Sequence, residues 1–446
     1  MGKKFVNLDY KSPSAKMRIW ERRFREYVVG QDRAIKRVIT DLCLTEAGFS
    51  EKRKPKCIFV FAGPTGVGKT HLVEILAKLL FGELDAYTYI DCNQFGEAHD
   101  VSKIIGSPPG YVGFNENVAL LTQEKIDSFG FYKTLSPKAR EELENIRFLK
   151  KKFGRPKTMR QAERLEHLQA REEEILISHR NPDGYPSIIL FDEIEKAHRT
   201  FFTHLMDIID KARLSMGDGS ITDFHNSYIF MTSNVGAEKI KNILSGKGAP
   251  GFIHESYKDV GEVIYRTTLG EMEGFFRGIP EFLGRIGKEN IIVFRELQRT
   301  DMAAILEARL KEVEEKLSRV EGLKLYFSRQ LKSFILDEAD DPFNKILGAR
   351  PLQRLVKKHV LEPLSVLVMK GPSEGGIGPG DYVSLTVKNK EVEIRRLLRP
   401  PKKADAAPAL LEWNPRPKAE PEMKIPVESS GEGETDIPAP KGSVTL

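Results

Sequence analysis

The stretch Gly63–Thr70, GPTGVGKT, constrains the fold of this chain more than any other. It matches the pattern G-x-x-x-x-G-K-[ST], follows the apolar run CIFVFA directly, and opens into the helical run THLVEILAKLLF. Glycines at these positions let backbone N–H groups surround phosphate oxygens at the N-terminus of a helix, where the helix dipole favours anions. The order of strand, glycine-rich loop and helix therefore predicts a nucleotide-binding unit within an α/β fold.

This loop supplies most of the expected contacts to ATP. Lys69 is expected to reach the β- and γ-phosphates, and Thr70 to offer its hydroxyl to Mg²⁺. ATP and Mg²⁺ are therefore the predicted cofactors. The predicted nucleotide-binding residues of the loop are Gly63, Pro64, Thr65, Gly66, Val67, Gly68, Lys69 and Thr70.

A second motif, IILFDEIEKAH, supplies two carboxylates. Its apolar residues predict a buried strand, and Asp192 and Glu193 follow directly at the strand's end. Asp192 is suited to hold Mg²⁺ through water, and Glu193 to polarise the water that attacks the γ-phosphate. The two motifs together predict an enzyme that hydrolyses ATP.

The pattern of apolar runs predicts the fold of the first 297 residues. Short apolar runs alternate there with helical patterns, which is typical of a parallel sheet with helices on both faces. Five of these runs predict buried strands of one parallel sheet: Cys57–Ala62, Ala86–Asp91, Ser187–Phe191, Ser227–Thr232 and Asn290–Phe294.

The pattern changes after Leu297. An amphipathic helix, TDMAAILEARLKEVEEKL, is followed by two more helical stretches and by a strand pair, DYVSLTV and EVEIRRLL. This predicts a small α+β C-terminal domain. The predicted organisation is an N-terminal extension over 1–20, a large domain over 21–297, a small domain over 298–398 and a Pro-rich disordered tail over 399–446.

A charged helical insertion, about 124–183, interrupts the α/β pattern. Its central part, Ser136–Ser178, has two halves with apolar stripes at helical spacing. Such stripes most often mean that two helices pack on each other as an antiparallel hairpin. The alternative is that the arm contacts substrate or an adaptor protein.

Composition and charge narrow the class of protein. No apolar run approaches the ~18 residues that span a membrane. The three cysteines form no C-x-x-C pair, which predicts a reducing, cytoplasmic setting without a zinc site or disulfide framework. The net charge is +6, but Ser136–Arg180 alone holds twelve Lys/Arg against eight Asp/Glu, so the basic bias is local.

Five motifs, in order and spacing, resemble those of one family. The P-loop, FDEIEKAH, MTSN, GRIGKENIIVF and GARPLQR are similar to those of the AAA+ ATPases of the Clp family, specifically the second nucleotide-binding domain of ClpA, ClpB and ClpC. The resemblance runs from YVVGQDRAI to Leu398 and excludes the charged insertion. It implies a P-loop AAA+ large domain followed by a small domain.

The resemblance implies further site residues. Asn234 in MTSN matches the residue that positions the lytic water, and Arg350 in GARPLQR matches the sensor-2 arginine. Arg285 in FLGRI matches the arginine finger, which acts on the nucleotide of a neighbouring subunit and so requires a ring, expected to be a hexamer of identical subunits. Val28 and Val29 match the segment that lines the adenine pocket.

The segment GSPPGYVGF carries the expected contact to substrate. In Clp rings the matching loop points into the central channel, which implies that Tyr111, Val112 and Gly113 grip a translocating polypeptide. A tyrosine suits this role because it offers a large contact area at low entropic cost. The stretch LSMGDGSITDF, Leu214–Phe224, occupies the second pore-loop region.

The predicted function is that of an ATP-dependent unfoldase or disaggregase that threads unfolded or tagged proteins through a ring pore. The unfoldase component of an ATP-dependent protease is less favoured, because APGFI places Pro250 where peptidase-binding relatives have an aliphatic residue. Two more functions stay open, an ATPase that remodels nucleic acid or complexes and an assembly scaffold with slow turnover. Nucleic acid is disfavoured because the pore loop has no basic residue beside Tyr111. Neither a membrane nor a first ATPase ring is expected.

Overall fold

The structure is a computed structural model, and it describes most of the chain. The described residues are 12–51, 53–106, 119–134, 185–239, 260–341, 344 and 347–398, together with 138, 139, 141, 142, 145, 146, 149, 160, 161, 164, 165, 167, 168, 170 and 171. All of them fall within one compact unit, Met1–Leu411. The predicted pore loop, Tyr111 to Gly113, and the predicted tail, 399–446, lie outside the described residues.

A five-stranded parallel sheet forms the centre of the large domain, with strand order β2-β3-β6-β1-β7. A separate two-stranded hairpin, β4-β5, is antiparallel. The strands are β1 Cys57–Ala62, β2 Thr88–Asp91, β3 Ser187–Asp192, β4 Arg213–Ser215, β5 Ile221–Asp223, β6 Ser227–Ser233 and β7 Ile291–Val293.

The three central strands are mostly apolar because helices cover both faces of the sheet. Every residue of β1 and β6 is buried. The rings of Phe59, Phe61 and Phe230 stack on one face, with centroids 5.4 to 6.2 Å apart. The predicted fold class, an α/β domain with a five-stranded parallel sheet, is confirmed.

One strand differs from the prediction. The run Ala86–Asp91 was expected to be a buried strand, but β2 begins at Thr88 and only Ile90 of its four residues is buried. Tyr89 is 49% exposed. β2 is an edge strand with a single neighbour, β3, and it is less covered than β7 at the other edge, whose residues are all buried.

Helices pack on both faces of the sheet. The core on one face joins the odd-numbered aromatic residues of β1 to α1, α2 and α3, and the core on the other face joins β3 and β6 to α6 and α8. The helices of the large domain are α1 Ala15–Arg25, α2 Asp32–Glu46, α3 Lys69–Phe81, α4 Ser102–Ile105, α5 Gln123–Thr134, α6 Arg199–Lys211, α7 Val260–Phe275 and α8 Pro280–Ile286.

Two predicted segment boundaries fall inside helices that pack on this domain. Helix α1 crosses the boundary predicted at residue 21, and its Phe24 is fully buried. Helix α5 occupies the first part of the predicted insertion, yet Ile126 is 1% exposed and the Ser187 hydroxyl at the start of β3 donates to Asp127 at 3.1 Å. The part of α5 at Ile126 and Asp127 therefore packs on the large domain.

The two halves of the charged insertion touch each other where the structure describes them. Arg171 Nε donates to Glu142 Oε1 at 2.8 Å, and Arg171 Nη2 donates to Glu142 Oε2 at 3.3 Å. Ile146, on the apolar stripe of the first half, is 5% exposed. These contacts fit the antiparallel hairpin predicted from the sequence.

In the part of the chain that the structure describes, the small domain packs helices against a three-stranded sheet of order β10-β9-β8. The predicted strand pair is present, but β8, which runs parallel to β9, was missed because its four residues give too short a pattern. The elements are α9 Arg299–Val320, β8 Lys324–Phe327, α10 Arg329–Ala339, α11 Arg350–Val356, α12 Glu362–Lys370, β9 Tyr382–Lys388 and β10 Glu391–Leu397.

None of the helices in the described part of the chain combines the length and the apolar character that a membrane crossing requires.

Phe230→Ala is expected to lower the free energy of unfolding by about 3–5 kcal/mol, because it leaves a cavity among stacked aromatic rings. Phe230 is fully buried, 5.8 Å from Phe59 and 5.4 Å from Phe61 between ring centroids. Urea unfolding followed by circular dichroism measures the change. Phe49→Ala, at a side chain that is 77% exposed, is the control and should change stability by less than ~0.5 kcal/mol. Equal losses for the two variants would contradict this packing.

Candidate functional site

Three motifs meet at the carboxyl edge of the parallel sheet. The loop Gly63–Gly68 follows β1, Asp192 and Glu193 stand at the end of β3, and Asn234 follows β6. Adjacent parallel strands deliver the residues after them to one edge, which is where open α/β sheets bind ligands. A cavity of about 440 Å³ lies there, and residues of both the large and the small domain line it.

Lys69, at the start of α3, is held by the groups around it. Its Nζ donates to Gly63 O at 2.6 Å, Pro64 O at 2.7 Å and Asn234 Oδ1 at 2.8 Å. Burial lowers the pKa of Lys69 to about 8, and the charges of Glu195 and Asp192 oppose this shift. A buried ammonium with carbonyl partners at a helix N-terminus is a place where phosphate oxygens bind favourably.

Asp192 lies beside Thr70. The Thr70 hydroxyl is 3.5 Å from Asp192 Oδ1, Tyr89 OH donates to Asp192 Oδ2 at 3.0 Å, and the Thr232 hydroxyl also donates to Asp192. Hydroxyl and carboxylate oxygens are ligands that Mg²⁺ prefers. Within the described ranges, no group of three or more His, Cys, Asp or Glu could hold a metal unaided. The donor set thus fits a Mg²⁺ that takes its other ligands from phosphates and water.

Glu193 is fixed by its backbone and by both carboxylate oxygens. Its φ is +56°, and its N–H donates to the Thr232 hydroxyl at 3.0 Å. Asn234 Nδ2 donates to Glu193 Oε1 at 3.0 Å, and Asn93 Nδ2 donates to Oε2 at 3.1 Å. The amide of Asn234 therefore bridges Lys69 and Glu193 on the wall of the cavity.

Sequence reasoning missed four residues of this site. Asn93 and Thr232 hold the acidic pair, Tyr89 contacts Asp192, and Glu195 Oε1 accepts from the backbone N–H of Asn234 at 3.0 Å. Glu195 Oε2 is buried without a hydrogen-bond partner among the described residues. Glu195 and Thr232 had a sequence signal, since they lie within FDEIEKAH and MTSN.

The small domain contributes Arg350, the first residue of α11, which lines the same cavity. The loop before it touches the P-loop directly, because Ala349 N donates to Gly66 O at 2.9 Å. Gly66 has φ +72°, and a side chain there would overlap Leu347 O. The close approach of the two backbones therefore sets where Arg350 stands relative to the P-loop.

Val28 and Val29 line the cavity, as do the aliphatic residues Leu297 and Ile305. Val28 is 4% exposed, and its N–H donates to Phe24 O at 2.8 Å at the end of α1. Aliphatic side chains around a narrow space suit the faces of a nucleobase.

Arg285 does not line this cavity, and neither do Gly63 and Pro64 at the start of the P-loop. Arg285 lies in α8, where its guanidinium forms an ion pair with Asp210 of α6 and is about one-third exposed. The structure therefore does not bring Arg285 to the nucleotide site of its own chain.

The stretch Leu214–Phe224 contains most of the antiparallel hairpin β4-β5. Ile221 on it is 59% exposed. Gly217 N donates to Ile105 O at 2.7 Å, which places the hairpin beside the residues that lead into GSPPGYVGF.

The fold and this cavity define a P-loop nucleotide-binding domain with an attached small domain. A family model described as AAA domain (Cdc48 subfamily) matches residues 54–128 and 157–289, and one described as the C-terminal, D2-small domain of ClpB protein matches residues 297–377. The chain belongs to the AAA+ ATPases of the Clp family.

Several proteins are similar over most of this chain. Chaperone protein ClpB of Gloeobacter violaceus is 31% identical over 83% of the chain and 33% of its own length. A ClpA homolog of Guillardia theta is 32% identical over 81% of the chain and 36% of its length. A closed-state cryo-EM reconstruction of Hsp104 with ATPγS and FITC casein matches with a TM-score of 0.59 and 27% identity, over 85% of the chain and 52% of the Hsp104 chain. The chain thus spans about a third of the length of these curated relatives.

Gly348→Ala is expected to separate the small domain from the P-loop. Gly348 has φ +61°, and a Cβ there would lie 2.5 Å from Gly66 O. The matched control is Gly375→Ala, because Gly375 has φ +79° but no atom within 4 Å of such a Cβ. Both variants should lose about 1–2 kcal/mol of stability from the positive φ.

Only Gly348→Ala should also weaken the binding of a fluorescent ATP analogue, by about tenfold or more, which corresponds to about 1.4 kcal/mol. Fluorescence titration measures this affinity, and equal affinities for the two variants would contradict a role for the backbone contact.

Proposed function

We propose that this protein hydrolyses ATP and uses the energy to thread polypeptides through a ring of identical subunits. The observation that supports ATP hydrolysis is the bridge of hydrogen bonds that Asn234 makes between Lys69 of the P-loop and Glu193 at the end of β3. It places a phosphate-binding cation and a candidate general base on either side of one amide.

The roles of the side chains follow from this geometry. Lys69 and the P-loop amides bind the β- and γ-phosphates, and Thr70 and Asp192 hold Mg²⁺, which neutralises charge on the phosphates. Glu193 accepts a proton from the attacking water, and Asn234 orients that water near the γ-phosphate. Arg350 adds positive charge from the small domain, while Val28 and Val29 enclose the adenine.

Arg285 completes the site of a neighbouring subunit in this proposal. Its distance from the cavity of its own chain is what an arginine finger acting in trans requires, because its charge must approach a different γ-phosphate. The ion pair with Asp210 holds the guanidinium until the neighbour binds. A repeated head-to-tail contact of this kind closes into a ring, for which we propose six subunits.

Mixing two inactive variants tests whether Arg285 acts in trans. Arg285→Ala should lose about 10³-fold of the ATP hydrolysis rate, because the transition-state charge is no longer neutralised. Lys69→Ala should lose nucleotide binding but keep a working Arg285. A mixture of the two should hydrolyse ATP faster than either variant alone, as measured by phosphate release. A mixture no more active than its parts would exclude action in trans.

The threading half of the proposal rests on similarity and on the predicted pore loop. Hsp104 was reconstructed with casein, and the D2-small family match covers most of the small domain. Tyr111, Val112 and Gly113 remain the predicted contacts to the substrate chain. The β4-β5 hairpin, with its exposed Ile221, lies next to the start of that loop and supplies a second apolar contact.

Tyr111→Ala tests the proposed function directly. ATP hydrolysis should stay within about twofold of the unmodified protein, whereas unfolding of a tagged fluorescent protein should slow at least ~5-fold, because loss of an aromatic contact removes about 1 kcal/mol or more from the grip. Glu193→Gln is the reference variant that should lose both activities while still binding ATP. Unfolding that continues at the normal rate in Tyr111→Ala would refute threading by this loop, and ATPase stimulation by DNA alone would favour nucleic-acid remodelling.

The remaining partners follow from the sequence. We propose that the helical arm within 136–178 contacts substrate or an adaptor protein, and that no ClpP-like peptidase docks at APGFI because Pro250 stiffens the loop. The cysteine usage supports a cytoplasmic location, and Cys43, Cys57 and Cys92 are all unpaired.

A further inference from the structure

The side chain of Gln31 is buried where three parts of the chain meet. Gln31 precedes α2 and is 3% exposed. Its Nε2 donates to Val67 O of the P-loop at 3.2 Å and to Arg295 O at 2.9 Å, and its Oε1 accepts from Arg295 N at 3.2 Å. One side-chain amide therefore joins the P-loop to the segment that leaves the large domain.

Arg295 needs this partner because the sheet ends beside it. Strand β7 pairs with β1 as far as Val293 and Ala62, and Phe294 N still donates to Ala62 O at 2.8 Å. Beyond that point β1 has become the P-loop, so no strand is left to pair with the next residue. A buried backbone group without a partner costs about 1–3 kcal/mol, and the amide of Gln31 supplies both a donor and an acceptor in place of a strand.

The linker 294–298 carries the chain from β7 to α9 without helix or strand. Arg295 holds it with two hydrogen bonds to Asp301 in the first turn of α9, at 2.6 and 3.0 Å. Gly30 has φ +77°, and a Cβ there would lie 2.8 Å from the Asp301 carboxylate. Gly30, the neighbour of Gln31, thus packs directly on the ion pair between Arg295 and Asp301 that fixes the start of the small domain.

We propose that Gln31 couples phosphate binding at the P-loop to the position of the linker, and through it to the small domain. The peptide group that carries Val67 O also carries the N–H of Gly68, one of the amides expected to bind phosphate. An anion bound at that N–H polarises the carbonyl of the same peptide and strengthens its hydrogen bond from Gln31.

Gln31 is a positioning residue in this proposal, because its side chain does not line the nucleotide cavity. The inference rests on the proposed binding of ATP at Lys69 and the P-loop. It adds to that function a path between the domains. The presence of bound phosphate is transmitted to the small domain through the linker as well as through Arg350.

Hydrogen exchange of the unmodified protein, with and without ATPγS, gives the first test and needs no variant. Exchange should slow at least ~10-fold both in the P-loop, 63–70, and in the linker segment 294–296, which unlike Leu297 does not line the cavity, because ordering of one is passed to the other. Slowing in the P-loop alone would overturn the coupling. No slowing in either segment would overturn nucleotide binding itself, so the two failures are distinguishable.

Gln31→Met gives the second test, since methionine has a similar volume but no amide. ATPγS should still protect the P-loop but no longer the linker, and kcat for ATP hydrolysis should fall about tenfold while KM changes less than about threefold. Linker protection that persists in Gln31→Met would overturn the proposal.

Thr268→Val is the matched control for loss of a buried hydrogen bond. Thr268 is 0% exposed, and its hydroxyl donates to Ile264 O at 2.8 Å within α7 rather than at the linker. It should keep linker protection and kcat at the unmodified level. If Thr268→Val lost linker protection as Gln31→Met does, the effect would be general destabilisation and the assignment to Gln31 would fail.

Discussion

The parallel pairing of β1 with β6 is the constraint on which the rest of the site depends. The register runs without interruption from Cys57 and Tyr228 to Ala62 and Ser233, and Gly63 N continues it by donating to Ser233 O at 3.2 Å. Asn234, the next residue after β6, then lines the cavity, and the P-loop begins directly after β1. A shift of one residue would point every side chain of β6 to the other face of the sheet, so the buried aromatic residues of these strands also hold the P-loop beside Asn234.

Charge balance is the second organising feature. Lys69 is buried close to Asp192, Glu193 and Glu195, with the guanidinium of Arg350 nearby. Groups of opposite sign placed together offset part of the cost of burial. Hydrogen bonds from Asn234, Asn93 and Thr232 offset a further part of this cost, and they fix the carboxylates of Asp192 and Glu193 before any phosphate binds. A site that is already ordered has little to rearrange during the reaction.

Most of the site was predictable because its residues lie in short motifs that follow strands. The P-loop, Asp192 and Glu193 stand where strand ends deliver them, and apolar runs located those ends to within two residues. Asn93 and Gln31 were not predictable in this way. Each acts through a partner far away in sequence, Glu193 for the first and Arg295 for the second. The exposure of β2 was not predictable for the same reason, because it depends on which strand lies beside β2 in the sheet.

The sequence by itself determined the α/β class, the nucleotide loop and the acidic pair, because these depend on local pattern and on the order of strand, loop and helix. Only the tertiary structure decided which residues complete the site. It placed Arg350 on the cavity through a backbone contact between Gly66 and Ala349, and it placed Arg285 away from it against Asp210. Such placements are set by how layers and domains pack, and a linear pattern of hydrophobic and polar residues carries no record of distance across a fold.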